Sequence, residues 1–204
     1  METSTKFGNP TVHDLKQAVK KMNKIKMNES LVAVKSLGND VGTWSISVAS
    51  DASWKNLNDG AGSTQAGVIF LTNGEVKYPI HWWANKIRRT CISASEAELL
   101  SMIVAVDNAI YLRQTLEELF NLDTKVPVVV ELDNNDVHQT IHANVAPKER
   151  RLRLEVARIH DSLNDGDIKE IVLVKGDSQI ADCMTKANAK SDDILQIFQT
   201  GLFK

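Results

Sequence analysis

The stretch from Val126 to His138, VPVVVELDNNDVH, constrains this chain more than any other. Its β-branched run begins beside Pro127 and drops into Asp133, Asn134, Asn135 and Asp136. Apolar residues bounded by a proline and an Asx cluster describe a short buried strand. An open α/β sheet places its chemistry just beyond the carboxyl end of such a strand. A lone Asp after a strand is an ordinary turn or cap residue. Asp133 becomes a candidate metal ligand only if other carboxylates come to meet it.

The bulk properties limit the partners. At 204 residues, 43% hydrophobic and 25% charged, the chain can bury one α/β core with an appendage. A formal net charge of -2 announces no nucleic-acid binder, so any basic surface is local. Cys91 and Cys183 match neither a disulfide framework nor a metal knuckle, which suits a reducing compartment. METSTKFGNP has no apolar core segment, and no apolar run approaches the roughly 20 residues that cross a bilayer. The expectation is a soluble intracellular protein with no membrane partner.

Residues 1–42 read as an attached helical extension and residues 43–204 as the main domain. In the extension Val12, Leu15, Val19, Met22 and Ile25 recur at helical spacing, opposite Lys16, Lys20, Lys21, Lys24 and Lys26. Those lysines are a solvated face or a contact to a phosphate backbone. Trp44, Ile46 and Val48 alternate with Ser45 and Ser47 in a strand expected to end near Asp51. KNLNDGAGST is a turn-rich link, QAGVIFLT a second strand, Asn73-Gly74 a hairpin turn and EVKYPIHWW a third strand.

Ser93 or Ser95 then caps a long helix, with Glu96 or Glu98 three residues on. Leu99, Met102, Ile103, Val106, Ile110, Leu116 and Leu119 form its expected apolar stripe. After the Val126 strand come a short helix from Asn134 and a second one headed by Pro147. The latter turns Leu152, Leu154, Val156, Ile159 and Leu163 inward, and Lys148, Arg150, Arg151 and Arg153 make the densest basic cluster. IKEIVLVK is a fifth strand, and the end is helical.

Three meander strands followed by two crossover strands make a mixed five-stranded α/β sheet flanked by helices, the ribonuclease H-like fold. In that sheet the first and fourth strands are parallel neighbours, so Asp51 and Asp133 end at one edge. The long helix brings Glu96 and Glu98, and the terminal helix begins near Asp182. A nuclease with two Mg²⁺ ions needs clustered hard oxygen ligands of this kind.

Residues 48–204 resemble the ribonuclease H domain of copia-type (LTR) retrotransposon polyproteins. The resemblance rests on SDASW, STQAGVIFL, PIHWWANKIRRT, SEAELL, LDNNDV, ERRLRLEVARI, IFQTGLF and the specific ADxxTK signature in QIADCMTK. Residues 10–35 resemble the end of the preceding reverse transcriptase part. The resemblance implies catalytic metal ligands at Asp51, Glu98, Asp133 and Asp182, with Glu96 as the fallback for Glu98. It further implies two Mg²⁺ ions, replaceable by Mn²⁺, with Asp51 bridging them. Asp182 would serve the water-activating ion, and Glu98 and Asp133 the ion at the leaving oxygen. The implied reaction is cleavage of the RNA strand of an RNA–DNA hybrid, leaving a 5′-phosphate and a 3′-hydroxyl. A reverse transcriptase domain or subunit is the implied partner, and a cytoplasmic virus-like particle or the nucleus the implied location. The chain departs from that pattern at Asn135 and Asp136, and at Gly176 where relatives carry Thr. His138 and His142 are read as surface residues.

Discriminating a hybrid from duplex DNA requires 2′-hydroxyl contacts in the minor groove, which suit Asn134 and, behind it, Gln179. Lys86, Arg88, Arg89, Arg150 and Arg151 are candidate phosphate contacts, although a solvated face accounts equally well for the second group. One of Trp82 and Trp83 is a candidate stacking residue, and core packing is the expected role of at least one of them. The rival reading is a domesticated, non-catalytic module that binds nucleic acid or a protein. An integrase-like or resolvase-like nuclease fits the ADCMTK ending poorly.

Overall fold

A computed structural model describes residues 40–57, 62–143, 147, 149–186, 189 and 192–202, with 11–13, 16–17, 19–20, 23 and 37. Five strands form one sheet: β1 (Ser45–Ser53), β2 (Thr64–Thr72), β3 (Lys77–Lys86), β4 (Val128–Leu132) and β5 (Glu170–Leu173). Their order across it is β3-β2-β1-β4-β5. The β1–β2 and β2–β3 pairs are antiparallel, whereas β1–β4 and β4–β5 are parallel. This is the expected meander with two crossover strands.

Among the described residues after Gly42, five helices flank the sheet: α1 (Ala94–Phe120), α2 (Asn135–His142), α3 (Arg150–Asn164), α4 (Asp182–Thr185) and α5 (Asp192–Thr200). The sheet is covered on both faces. Ile46, Val48, Val128 and Val130 face α1 through Leu99, Met102 and Val106. Ala49, Val68 and Phe70 face the other way, toward Ile180, Ile194 and Ile197. Covering both sides buries every residue of β2, which is why QAGVIFLT is apolar without strict alternation.

Local chemistry sets the boundaries. Ser93 caps α1 by accepting the Glu96 N–H at 3.1 Å, and Asn121 ends it in the left-handed region. The link between β2 and β3 takes four residues rather than two. Asn73 Oδ1 accepts from the N–H groups of Glu75 and Val76, so β3 starts at Lys77. Gly67 is required by packing, because a Cβ there would lie 2.3 Å from the Trp83 ring.

Two inward assignments are corrected. Leu119 is exposed, although Leu116 and Leu122 on either side pack on the core, because it stands about 160° around the helix from buried Leu99. Leu154 is exposed as well: Leu152, Val156, Ile159 and Leu163 share one face, and Leu154 stands about 200° around from Leu152. The described residues from 12 to 23 are helical, with Val12 and Val19 exposed. Leu15, Met22, Ile25, Lys21, Lys24, Lys26 and Lys148 lie outside the described residues.

Candidate active site

Because β1 and β4 run parallel as neighbours, with Val48 opposite Val130, their carboxyl ends share one edge of the sheet. Asp51 is carried within β1 and is fully buried; Asp133 follows the last residue of β4. Asp182 opens α4, a single turn positioned by a short 3-10 turn at Gly176–Ser178. One oxygen from each of Asp51, Asp133 and Asp182 lies within 4.8 Å of the others.

Glu98 reaches this cluster from α1. Its Oε2 accepts the backbone N–H of Ala52 at 3.1 Å, directly beside Asp51. Glu96 is turned back onto the link before α1, where Oε2 accepts the Ile92 N–H at 2.7 Å and Oε1 lies 3.6 Å from the Arg89 guanidinium. The two residues therefore have different jobs: Glu96 closes the helix entrance and Glu98 faces the carboxylates.

The electrostatics are strained in one direction. Burial, then the Asp51 and Asp133 charges, push the Glu98 carboxyl up to about 9 against the pull of the Ala52 N–H and Lys186. Burial raises Asp51 to about 6, opposed by Thr185 and Lys186. Asp133 is raised by burial and by the charge of Asp182. Carboxylates gathered this closely resist ionising together unless a cation offsets them.

A cation of the chain itself occupies that role. Lys186 Nζ lies 2.6 Å from Asp182 Oδ1 and 3.2 Å from Asp51 Oδ1. Burial lowers its pKa, but the Asp182 hydrogen bond and the two aspartate charges outweigh that and hold it above the ordinary lysine value. Thr185 donates its hydroxyl to the other Asp51 oxygen. Neither residue follows from periodicity or composition. The two are the last residues of the ADxxTK signature, and the spacing of Lys186 four residues after Asp182 places Lys186 and Asp182 on one helix face.

The expected substrate contacts divide. Asn134 caps α2 by accepting the Val137 N–H at 3.0 Å, which commits its carbonyl oxygen. Gln179 is buried, donates to the Ser50 carbonyl at 3.2 Å and hydrogen-bonds Asp133, so it supports the cluster from behind. Arg89 binds Glu155 of α3 at 3.0 Å, tying α3 to the entrance of α1. Lys86, Arg88, Arg150 and Arg151 are exposed. Trp83 packs over Gly67, whereas Trp82 is 59% exposed. His138 and His142 stack on each other at 4.1 Å along α2. Among the described residues neither histidine hydrogen-bonds a carboxylate of the cluster. Among those residues, too, no helix is long and apolar enough to cross a membrane.

No protein-family profile matches the chain, and no curated protein does. Solved structures do. The compost-derived LC11-RNase H1 is 16% identical with a TM-score of 0.51, over 71% of this chain and 95% of that one. The same enzyme has been solved in complex with an RNA/DNA hybrid. The N-terminal RNase H domain of rv2228c from Mycobacterium tuberculosis, solved as a fusion with maltose binding protein, is 13% identical with a TM-score of 0.52, over 74% and 95%. A foamy viral protease-reverse transcriptase in complex with RNA/DNA hybrid is 15% identical with a TM-score of 0.52, over 80% of this chain and 22% of that one. With the sheet order and these neighbours together, the chain has the ribonuclease H-like fold.

Proposed function

We propose that this protein is a metal-dependent endoribonuclease that hydrolyses the RNA strand of RNA–DNA hybrids, and that it derives from a retroelement. The observation that carries this reading is the convergence of Asp51, Asp133 and Asp182, joined by Glu98, at one edge of a ribonuclease H-like sheet. Clustered like charges cost stability, and a site that keeps them is suited to holding cations. The donors are all oxygens, which fits Mg²⁺, with Mn²⁺ as a substitute.

Two divalent ions bound by Asp51, Glu98, Asp133 and Asp182 would supply an activated water and neutralise charge at the scissile phosphate. The chain's part is positioning. Thr185 fixes the Asp51 carboxylate, the Ala52 N–H orients Glu98, and Gln179 steadies Asp133. The Asn134 amide nitrogen is the candidate 2′-hydroxyl contact, and Lys86, Arg88, Arg150 and Arg151 are the candidate phosphate contacts. Arg150 and Arg151 stand in the first turn of α3, where the helix dipole is already positive. Cations there favour an external anion over helix stability. Products would carry a 5′-phosphate and a 3′-hydroxyl. The hybrid-bound RNase H1 and foamy viral structures support the substrate class. The resemblance supports a reverse transcriptase partner, an extension at residues 1–42 left from that polymerase, and work in a virus-like particle or the nucleus.

The test is direct. Labelled RNA–DNA hybrid, double-stranded RNA and duplex DNA are incubated with the protein in Mg²⁺ or Mn²⁺, beside Asp133→Asn. Cleavage confined to the hybrid and lost in the variant supports the reading, and no cleavage under any metal condition sinks it. One observation favours a second reading, a non-catalytic module: Lys186 partly neutralises the cluster without a metal.

A further inference from the structure

Neither carboxylate oxygen of Asp51 is unengaged. Asp51 Oδ1 faces the Lys186 ammonium at 3.2 Å and Oδ2 accepts the Thr185 hydroxyl. The same ammonium holds Asp182 Oδ1 at 2.6 Å. A side chain on the rim of the site thus binds two of the carboxylates a metal would need, from different elements separated by more than a hundred residues in sequence.

Resting on the metal-dependent reading above, we propose that Lys186 is a built-in counter-cation, and that metal loading is an exchange in which its ammonium leaves Asp51 and Asp182 as the ion enters.

Three features carry this. Asp51 is completely buried, and among the described residues Lys186 is the one cation paired with it, so without the lysine a buried carboxylate would face Asp133 and Asp182 uncompensated. The Lys186 side chain is 42% exposed, so its stem can swing outward without opening the core. Its backbone N–H closes the last helical hydrogen bond of α4, to the Asp182 carbonyl at 2.9 Å, so the anchor of the side chain stays fixed while its ammonium moves. A lysine that only decorated the surface would pair with Asp182 at the i,i+4 spacing and stop there; the contact with Asp51 is what such a role does not require.

An exchange has two consequences that simple attraction lacks. The metal-free protein depends on Lys186 for its stability, and the lysine changes environment when metal binds. The amine reactivity of Lys186 is therefore measured by pulse labelling and mass spectrometry in EDTA and in Mn²⁺, normalised to Lys169. In parallel, Mn²⁺ binding and thermal melting in EDTA are compared between wild type and Lys186→Met. Expected are a rise in Lys186 labelling on Mn²⁺ addition, a lower melting temperature for the metal-free variant, and Mn²⁺ binding about tenfold tighter once the competing charge is gone. Mn²⁺ binding with unchanged Lys186 labelling overturns the exchange, even if the variant fails to fold. Unchanged melting and affinity in a folded variant overturn it too. Absence of Mn²⁺ binding to the wild type overturns the metal-dependent reading itself, and the exchange with it.

Discussion

The Glu98 carboxyl is anchored to the backbone N–H of Ala52 at 3.1 Å, which locks α1 to the residue after Asp51. The contact couples the longest helix to the centre of the sheet at the place where the carboxylates meet. The contact opposes but does not reverse the burial and carboxylate charges that raise Glu98 from 4.5 to about 9, and burial likewise raises Asp51 from 3.8 to about 6.

Both shifts give the folded state more bound protons than the unfolded chain between the two sets of values. Unfolding free energy must then fall as pH rises through that window. The metal-free protein is expected to lose several degrees of melting temperature between about pH 5 and pH 9. Glu98→Gln should remove most of that slope and stabilise the metal-free protein at pH 8–9. Melting curves in EDTA across this range check it. A flat profile in the wild type would contradict the charge arrangement.

Removing a carboxylate separates folding from function. Asp182→Asn is expected to abolish hybrid cleavage by at least about a hundredfold, as loss of a metal ligand should. Metal-free stability should fall or hold, because Lys186 would lose one partner while one repulsive charge also disappears. Single-turnover cleavage and thermal melting on the same preparation report both effects. Unimpaired cleavage would remove Asp182 from the ligand set.

Gly67 and Trp83 make a packing prediction. With a Cβ falling 2.3 Å from the Trp83 ring, Gly67→Ala should cost about 2 kcal/mol or more. Gly74→Ala meets no atom within 4 Å but has φ +90°, so its cost should stay near 1 kcal/mol. Urea denaturation of the two variants tests the ranking.

At Gly176, where the domains that the sequence resembles carry Thr, a Cβ would sit 3.8 Å from Asp133 Oδ2, an ordinary contact. Gly176→Thr should therefore fold with a stability change within about 1 kcal/mol. It would place a hydroxyl beside a carboxyl that burial and Asp182 hold above its usual range. A donor to the ionised form lowers that pKa, so the acid limb of the cleavage profile should move to lower pH. A pH–rate series for the two proteins is the measurement.

Arg150→Glu with Arg151→Glu should weaken hybrid binding and flatten its dependence on salt, because each lost phosphate contact releases fewer counterions. Binding isotherms at several salt concentrations decide this. Unchanged affinity returns the pair to a solvated helix face.

Much of the architecture was legible in residue order. Period-two alternation at Trp44–Val48 and the β-branched run before Asp133 mark β1 and β4, and their parallel pairing follows from the crossover. That Asp51 and Asp133 share an edge was thus readable before any coordinates. Leu119 and Leu154 were misjudged because both are apolar yet stand off the helix face that their buried neighbours share.

The sequence by itself determined the strands, the long helix and which carboxylates stood near strand or helix ends. Only the tertiary structure decided what each charged or aromatic side chain faces. Glu96 and Glu98 are two positions apart on one helix, so their side chains point about 200° apart, and folding turned one to the Ile92 N–H and the other to Ala52. Trp82 and Trp83 alternate across a strand, and the approach of Gly67 drew Trp83 inward. Lys186 meets Asp51 across 135 positions of chain. Local periodicity reports direction relative to an element's own axis. A charge pair between distant elements depends on how those axes are packed, and the core sets that.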